Sequence, residues 1–413
     1  MSSLSRRLPN KSTIKKWLIH LVAICSIALW ATGGRAQDYR TFSDTFHNLT
    51  SPDSATRTQA WNKLVDAQTI PLVSHDSVVF LFKGNAQRVA WMGDFNGWGY
   101  DKNFQNSGTQ ISQTDIWYLK ASFPRNARLD YKILINGSDW VIDPLNPHQQ
   151  WSGVGGGSPN SELRMPEWKE DPVLTPRADV AKGSVTSDLL FTSKVLGYQI
   201  TYNVYLPAHG KHPGKLPVVY VTDGYEYMHP KMGNMITILD NLIADQKIKP
   251  VAAVFIDHRE PINRSNNRRM TELAMNPRYA EFITKEFLPY IEKNYPVDNT
   301  PAGRAILGTS MGGLTAAYLA FSENAQFGMA GIQSPAFWTK PQIYELCKNP
   351  DNPTLRVFMS TGTMNDTFKE TEKMKEILSS TACQFEYRQV NEGHSWGNWR
   401  NLIDDILVSF FKP

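Results

Sequence analysis

Cysteine is scarce in this chain, which has three cysteines among 413 residues. Neither a C-x-x-C nor an H-E-x-x-H pattern occurs, and this absence excludes the commonest zinc-binding motifs. Cys347 and Cys383 could pair in an exported protein, and two buried free thiols are the alternative. No metal-ligand pattern therefore offers itself as the centre of an activity.

Long apolar runs are also missing, apart from one near the N-terminus over residues 17–32. Sixteen residues are too few for a confident membrane span. Basic residues precede this run, and Gly34-Arg35-Ala36 follows it as a small-x-small cleavage site. The pattern predicts a Sec-type signal peptide over residues 1–36 that is cleaved after Ala36, and hence a secreted or periplasmic protein. An uncleaved anchor is the alternative.

The chain has little excess charge of either sign. It contains 43 Lys and Arg against 39 Asp and Glu, and six of the basic residues lie in segment 1–36, which has no acidic residue. The mature chain therefore has 37 basic against 39 acidic residues, a net charge of −2. This balance gives no support for a nucleic acid or an acidic membrane surface as a partner.

A G-x-S-x-G pattern at Gly308-Thr309-Ser310-Met311-Gly312 is the most informative motif that is present. The apolar residues 304–307 before it predict a buried strand, and residues 313–320 after it predict a helix rich in Ala and Leu. Strand, tight turn and helix are the context of a nucleophile elbow. We therefore expect Ser310 to be a catalytic nucleophile.

A nucleophilic serine needs a base and a group that orients the base, and in this order of motifs both follow the serine. His394 is the only histidine after Ser310, and it follows a predicted strand over residues 383–390. Asp366 follows another predicted strand, residues 355–360, and precedes a predicted helix over residues 367–378. An N-cap of that helix is the alternative role for Asp366. A Ser-His-Asp triad of this kind needs no metal or other cofactor.

An oxyanion hole should complete such a site. We expect one donor to be the backbone N–H of Met311, directly after the nucleophile. The second should come from the turn after the predicted strand over residues 216–222, at the backbone of Tyr225 or Gly224.

Several segments beyond position 190 carry a family resemblance. They are Tyr220-Val221-Thr222-Asp223-Gly224, Arg269-Met270-Thr271-Glu272, Glu286-Phe287-Leu288-Pro289, residues 308–314 and Gly393-His394-Ser395-Trp396-Gly397-Asn398-Trp399. This part of the chain resembles the esterase family of α/β hydrolases that includes enterochelin esterase, esterase D and the feruloyl and acetyl-xylan esterases of carbohydrate esterase family one. The resemblance implies the same roles for Ser310, His394 and Asp366, and a structural pair between Arg269 and Glu272. Ser395 stands where the family often has an acidic residue.

The strand pattern divides the chain into parts. Short strands separated by turns, with an Asn136-Gly137 hairpin, predict a small all-β immunoglobulin-like sandwich, whereas strands alternating with helices predict a mostly parallel sheet with helices on both faces. The predicted parts are a signal peptide (1–36), an N-terminal helical segment (37–72), the sandwich (73–166), a linker (167–185) and an α/β-hydrolase domain (186–413).

The β region carries a resemblance of its own. Gly93-Asp94-Phe95-Asn96-Gly97-Trp98 and the later Asp143-Pro144 resemble the early-set domain known as carbohydrate-binding module family forty-eight. Six of the twelve tryptophans fall between Trp91 and Trp168, so this region could contact glycan, although several of them could equally form its core. The loop from Trp151 to Gly157 could reach the active-site cleft.

The sequence thus predicts an exported serine carboxylic-ester hydrolase that acts on acyl or feruloyl esters of polysaccharides or their fragments. A siderophore esterase of the enterochelin type, an acyltransferase of the same fold and a non-catalytic glycan-binding protein are alternatives, whereas no propeller repeat favours peptide hydrolysis. Candidate substrate contacts are Tyr227, His229, Arg264, Arg268 and Trp396. For the two arginines, a solvated charged loop is the alternative.

Overall fold

The computed structural model describes residues 43–153, 158–208, 214–322, 326–348 and 354–413. The predicted signal peptide, its cleavage site and residues 154–157 of the glycine-rich loop lie outside these ranges. Within them, no helix combines the length and the apolar character that a membrane crossing requires.

Residue contacts divide the chain into two compact units. Of the described residues, the first unit contains 43–85 and 109–123, and the second contains 86–108 and those from 124 onward. The predicted β domain, residues 73–166, is therefore shared between the two units. Its packing as a sandwich stays a prediction.

Among the described residues, the first unit has two helices, of which the first is described over residues 43–49, and a four-stranded antiparallel sheet. Its elements are α1 (43–49), α2 (Ser54–Asp66), β1 (Leu72–Ser74), β2 (Ser77–Lys83), β4 (Thr109–Gln110) and β5 (Ile116–Ser122), with the strand order β1-β2-β5-β4. Helix α2 begins after its N-cap Asp53, whose carboxylate accepts a hydrogen bond from the Thr56 backbone N–H at 2.8 Å. Ala60, Trp61 and Leu64 form its buried face.

The second unit begins with an antiparallel sheet. Its strands are β3 (Val89–Gly93), β6 (Arg128–Ile135), β7 (Asp139–Val141), β8 (Gln149–Trp151) and β9 (Pro159–Arg164), in the order β3-β6-β9-β8 with β7 paired to β6. Asn136 and Gly137 both have positive φ, at 53° and 83°, and they form the predicted hairpin turn between β6 and β7. We call these strands the five-stranded sheet.

An eight-stranded mixed sheet forms the rest of this unit. Its strands are β10 (Ser184–Thr192), β11 (Gln199–Leu206), β12 (Val218–Val221), β13 (Ala252–Asp257), β14 (Arg304–Thr309), β15 (Met329–Gln333), β16 (Arg356–Gly362) and β17 (Gln384–Val390). The order is β10-β11-β13-β12-β14-β15-β16-β17, with β11 antiparallel to β13 and all pairs from β13 to β17 parallel.

Helices cover this sheet on both faces. They are α3 (Gly224–Met228), α4 (Met235–Ala244), α5 (Arg269–Glu272), α6 (Pro277–Glu281), α7 (Leu288–Asn294), α8 (Met311–Phe321), α9 (Ile343–Leu346), α10 (Phe368–Ser379), α11 (Trp396–Arg400) and α12 (Ile403–Phe411). Alternate residues of β12 enter two separate hydrophobic clusters: Val218 packs with the residues of α8, and Val219 packs with those of α4 and α12. The expected parallel sheet with two covered faces is confirmed.

The strand order places a site at one edge of the sheet. Strand β12 lies between β13 and β14. The strand that follows β12 in the chain is placed on one side of it and the next strand on the other side, so the strand order reverses at β12. In open sheets of this type, functional groups gather at the carboxyl ends of the strands beside such a reversal. Asp223 follows β12 and Ser310 follows β14, so both lie at this edge.

The predicted linker and the two cysteines at positions 347 and 383 both lie within the described residues. Residues of the predicted linker pack into the core, because Val173 and Leu174 are buried and their carbonyls accept hydrogen bonds from Asn241 and Asn234. The two cysteines are free thiols, with Cys347 buried and Cys383 half-buried.

Candidate active site

Ser310 occupies a strained turn between β14 and α8. Its φ and ψ are 58° and −115°, a conformation that is costly for a residue with a side chain. Three backbone hydrogen bonds hold it there. Its N–H donates to the carbonyl of Gln333 at 2.9 Å, and its carbonyl accepts from the N–H groups of Ala336 at 2.9 Å and Leu314 at 3.1 Å. The strain lifts the hydroxyl clear of the sheet, as the elbow pattern predicts.

The glycines of the motif are required by close approach. A Cβ on Gly308 would lie 2.3 Å from the backbone of Gly312, and a Cβ on Gly312 would lie 2.3 Å from the Thr222 hydroxyl oxygen. Strand β14, helix α8 and the end of β12 therefore meet with no room for a methyl group.

His394 contacts both other members of the predicted triad. Its Nε2 lies 3.0 Å from Ser310 Oγ, and its Nδ1 lies 2.6 Å from Asp366 Oδ1. About a third of its side chain is exposed. The ring therefore connects a buried carboxylate to a serine at the surface of the site.

The side chain of Asp366 is fully buried, and its carboxylate is held from several sides. Oδ2 accepts hydrogen bonds from the Ser334 hydroxyl and the Gly362 N–H, each at 2.6 Å. Burial alone would raise the pKa of Asp366, but the charge and hydrogen bond of His394, together with these donors, hold it below its ordinary value. Thr367 takes the N-cap position of α10, so Asp366 does not cap that helix.

Two supporting residues escaped the sequence analysis. Ser334, with φ of 40°, donates to Asp366 and accepts from the indole N–H of Trp399 at 2.9 Å. The Trp399 ring meets the His394 ring edge to face, with the ring centres 4.9 Å apart. Trp399 belongs to the family pattern quoted above and could have been singled out, whereas nothing in the sequence distinguishes Ser334.

Both expected oxyanion donors begin helices at the same edge of the sheet. Met311 is the first residue of α8, while Gly224 and Tyr225 are the first two of α3, so their N–H groups have no acceptor within their own helices. Strands β12 and β14 are paired in parallel, which brings the two helix N-termini to neighbouring positions. A Cβ on Gly224 would lie 2.6 Å from the backbone N of Ile256, so glycine is required at that start.

Arg269 does not form the expected pair with Glu272. Its guanidinium binds both carboxylate oxygens of Asp223, at 2.6 and 2.9 Å, and also the Thr309 carbonyl at 3.2 Å. Arg269 thus joins the turn after β12 to the residue before the nucleophile. Glu272 instead accepts hydrogen bonds from Tyr198, at 2.8 Å, and from the buried His258, at 2.5 Å.

Two predicted substrate contacts are buried supports instead. Tyr227 is fully buried and donates its hydroxyl to Gln333 Oε1 at 2.8 Å. Trp396 is 2% exposed and donates its indole N–H to Glu226 Oε2 at 2.8 Å. Burial and the neighbouring charge of Asp223 raise the pKa of Glu226 to about 7. Aromatic residues with a polar tip look the same in a sequence whether they line a rim or support it from below.

The other three predicted contacts lie nearer the surface. Arg264 is engaged by Asp257 at 2.9 Å and Asp188 at 2.8 Å, so it belongs to a charged surface cluster. The guanidinium of Arg268 lies 4.0 Å from the centre of the Tyr198 ring. His229 stacks on Trp151, with the ring centres 5.9 Å apart, at the start of the glycine-rich loop.

Exposed apolar side chains lie on several elements that carry the site. Trp338 is 52% exposed and its ring centre lies 6.4 Å from that of His394. The side chain of Tyr225, in the expected oxyanion turn, is also exposed, and its ring centre lies 3.5 Å from the guanidinium of Arg259. Met270, beside Arg269, is 61% exposed. Such surfaces are typical of ligand-binding clefts.

Among the described residues, no group of three or more His, Cys, Asp or Glu side chains is arranged to hold a metal ion. A serine in a strained strand–helix turn, with a histidine and a buried carboxylate behind it on a mostly parallel sheet, defines the class of α/β hydrolases.

The comparison with protein families agrees with this class. A family model described as "Putative esterase" matches residues 193–410, just over half of the chain. The chain therefore belongs to this esterase family and is a carboxylic ester hydrolase.

Curated proteins that are similar to this chain carry names with different ester substrates. An endo-1,4-beta-xylanase/feruloyl esterase of Xylanibacter ruminicola is 27% identical over 248 residues, which cover 57% of this chain and 32% of that protein. An iron(III) enterobactin esterase of Escherichia coli O6:H1 is 23% identical over 355 residues, covering 76% of this chain and 85% of the relative.

A solved structure extends the likeness to the fold. The enterobactin esterase of Shigella flexneri, crystallised in the presence of enterobactin, superposes with a TM-score of 0.66 at 21% identity. The match covers 81% of this chain and 92% of the other, so it includes part of the region before the family match.

Proposed function

We propose that this protein is an exported serine esterase in which Ser310, His394 and Asp366 form the catalytic triad. The observation that carries the proposal is the continuous set of contacts from Ser310 Oγ to His394 Nε2, at 3.0 Å, and from His394 Nδ1 to Asp366 Oδ1, at 2.6 Å. Export rests on the signal-peptide pattern of residues 1–36, outside the described part of the chain.

The reaction proceeds through an acyl-enzyme. Ser310 Oγ attacks the ester carbonyl carbon while His394 Nε2 takes the hydroxyl proton. The tetrahedral intermediate then collapses, the bond to the alcohol oxygen breaks, and His394 gives its proton to the leaving alcohol. Water repeats the sequence on the acyl-enzyme, with His394 again acting as base and then as acid, and releases the carboxylic acid.

Asp366 supports His394 both as the neutral base and as the protonated acid. Its carboxylate accepts the Nδ1–H of His394, so Nε2 is left without a proton and faces the serine. When His394 becomes positively charged, the buried carboxylate stabilises that charge. The N–H groups of Met311 and of Tyr225 or Gly224 stabilise the oxyanion as it forms.

Acyl or feruloyl esters of polysaccharides, or of their fragments, are the substrates we propose. The feruloyl esterase relative supports this class, and the exposed Trp338 and Tyr225 offer flat apolar surfaces for an aromatic acyl group or a sugar ring. Contact of the β region with glycan belongs to the same proposal. Trp140 is the most exposed tryptophan among the described residues of the five-stranded sheet, whereas Trp91 is fully buried.

Hydrolysis by the mature chain, residues 37–413, tests the proposal. We expect purified protein to cleave p-nitrophenyl acetate, methyl ferulate or acetylated xylan, and we expect Ser310→Ala to abolish turnover of each. Activity that survives in the Ser310→Ala variant would refute the triad. A folded protein that cleaves none of the three would refute the polysaccharide-ester substrate.

A siderophore ester is the second candidate. It is favoured because the iron(III) enterobactin esterase relative aligns with 76% of this chain, against 57% for the feruloyl esterase relative. Adding a cyclic catechol triester to the panel separates the two, because the preferred substrate will have the higher kcat/KM by orders of magnitude.

A further inference from the structure

The five-stranded sheet contacts the loop that carries His394. Arg128, the first residue of β6, donates its backbone N–H to the carbonyl of Asn391 at 3.3 Å and pairs with Glu392 in an isolated parallel bridge. Its side chain is fully buried, and Nη1 donates to the hydroxyl of Ser395 at 3.0 Å. The contacts fall on both sides of the histidine.

The loop that carries His394 packs so closely against the five-stranded sheet that two of its glycines have no room for a side chain. A Cβ on Gly393 would lie 2.1 Å from Asp94 Cγ, and a Cβ on Gly397 would lie 1.8 Å from Arg128 Cζ. Both distances are far below any van der Waals contact. Gly393 and Gly397, on either side of His394, therefore contact Asp94 and Arg128 directly, and the loop cannot move closer to the sheet.

The guanidinium of Arg128 is fixed from its other sides. It bonds to Asp130, reaches Glu162 Oε1 at 2.8 Å, and lies 3.8 Å from Glu392 Oε2. A buried arginine is tolerated only when carboxylates surround it, and its planar fork then has one orientation. Asp94 is held in turn, because its Oδ2 accepts the Asp130 N–H at 2.8 Å and its Oδ1 accepts the Trp98 indole N–H at 3.2 Å.

We infer that Arg128 and Asp94 are positioning residues for the general base, and that the five-stranded sheet is part of the catalytic apparatus. The inference rests on the proposed role of His394. Neither residue touches substrate, because both are buried. They set the placement of the imidazole between Ser310 and Asp366, and a displacement of this ring by about 1 Å costs on the order of a hundredfold in rate.

Two variants test the placement. Ser395→Ala removes the hydroxyl that Arg128 holds, and we expect kcat to fall about tenfold with KM within about twofold. Gly397→Ala forces the loop or the guanidinium to move, and we expect about a hundredfold loss in kcat. The rate of irreversible phosphorylation of Ser310 by diethyl p-nitrophenyl phosphate should fall by the same factors, since it requires the Ser-His pair but few substrate contacts.

Matched controls separate positioning from simple destabilisation. Ser193 is a buried serine that donates to the carboxylate of Glu286 at 2.5 Å, and Gly303 would place a Cβ 2.3 Å from Asp298 Cγ at the opposite end of β14 from Ser310. Ser193→Ala and Gly303→Ala should lower Tm as their counterparts do, but leave kcat within about twofold.

The outcomes are distinct. If folded Ser395→Ala keeps the wild-type kcat and phosphorylation rate, or if the controls lose as much kcat as their counterparts, the inference is overturned. Ser395→Ala decides the matter even if Gly397→Ala does not fold. If the phosphate reagent fails to label Ser310 in wild-type protein, the proposed function itself fails, whatever these variants do.

Discussion

Replacing Asp366 with asparagine should trap the histidine in the wrong tautomer. Asp366 Oδ2 accepts several hydrogen bonds, one of them from the backbone N–H of Gly362 at 2.6 Å. A peptide N–H can only donate, so the amide oxygen of an asparagine must take this position. The amide NH₂ group then faces His394 Nδ1.

This orientation forces the imidazole to accept a hydrogen bond at Nδ1. In the neutral ring the proton then lies on Nε2, which faces Ser310 Oγ at 3.0 Å and can no longer take the serine proton. The base is lost while the packing is preserved. A wrong tautomer in a triad costs on the order of 10⁴ in kcat, which corresponds to about 5.5 kcal/mol in activation free energy.

Steady-state hydrolysis of p-nitrophenyl acetate measures this loss. We expect KM to change little, because the Asp366 side chain is fully buried and meets no substrate. Glu370→Gln is the matched control: it makes the same chemical change on the first turn of α10, outside the bonds of His394, and should leave kcat unchanged. If Asp366→Asn kept a tenth or more of the wild-type kcat, the tautomer argument would be wrong.

Three further changes have predicted outcomes. Burial raises the pKa of Glu392 from 4.5 to about 7, so the wild-type protein loses stability as the pH rises from 4.5 through 7. Glu392→Gln removes this loss. In urea unfolding, the difference in unfolding free energy between the variant and wild type should therefore be up to about 3 kcal/mol more favourable to the variant at pH 8 than at pH 5. The same difference at both pH values would contradict this. Tyr227→Phe leaves Gln333 Oε1 without its donor and should cost about 1–3 kcal/mol in unfolding free energy at an unchanged KM, whereas a raised KM would restore the substrate-contact role. Gly312→Ala places a methyl group against the Thr222 hydroxyl. We expect the unfolding free energy to fall by about 1–3 kcal/mol, and Tm and kcat to fall with it. Combining it with Thr222→Ala should recover part of each, and no recovery would count against the steric explanation.

Local patterns in the sequence predicted much of the framework. The helix expected over residues 367–378 is α10, displaced by one residue, and the strand expected over residues 383–390 is β17. Ser310 and His394 could be singled out because a nucleophile elbow imposes small residues at fixed spacing, and because the order of the motifs left one histidine. Periodicity and turn chemistry are local properties, and they are what these predictions used.

Partners that are distant along the chain left no such pattern. Ser395 and Arg128 are 267 positions apart, and nothing periodic marks a single buried arginine at the start of a strand. The pair between Arg269 and Glu272, which the family resemblance implied, was wrong, because a resemblance in sequence does not show which carboxylate the guanidinium reaches. Asp223, 46 positions away, is the actual partner because it offers both carboxylate oxygens to the fork.

The structure gives the glycines around His394 a role that the sequence does not suggest. In a sequence, Gly393 and Gly397 suggest a loose loop at the end of a strand. In the structure they mark the places where the histidine loop meets Asp94 and Arg128 with no space for a methyl group. Both partners come from the β region that precedes the family match. A general base must be held within a fraction of an ångström. The inferred positioning role therefore requires glycine at positions 393 and 397 of this chain, because a larger residue at either would displace the loop that carries His394.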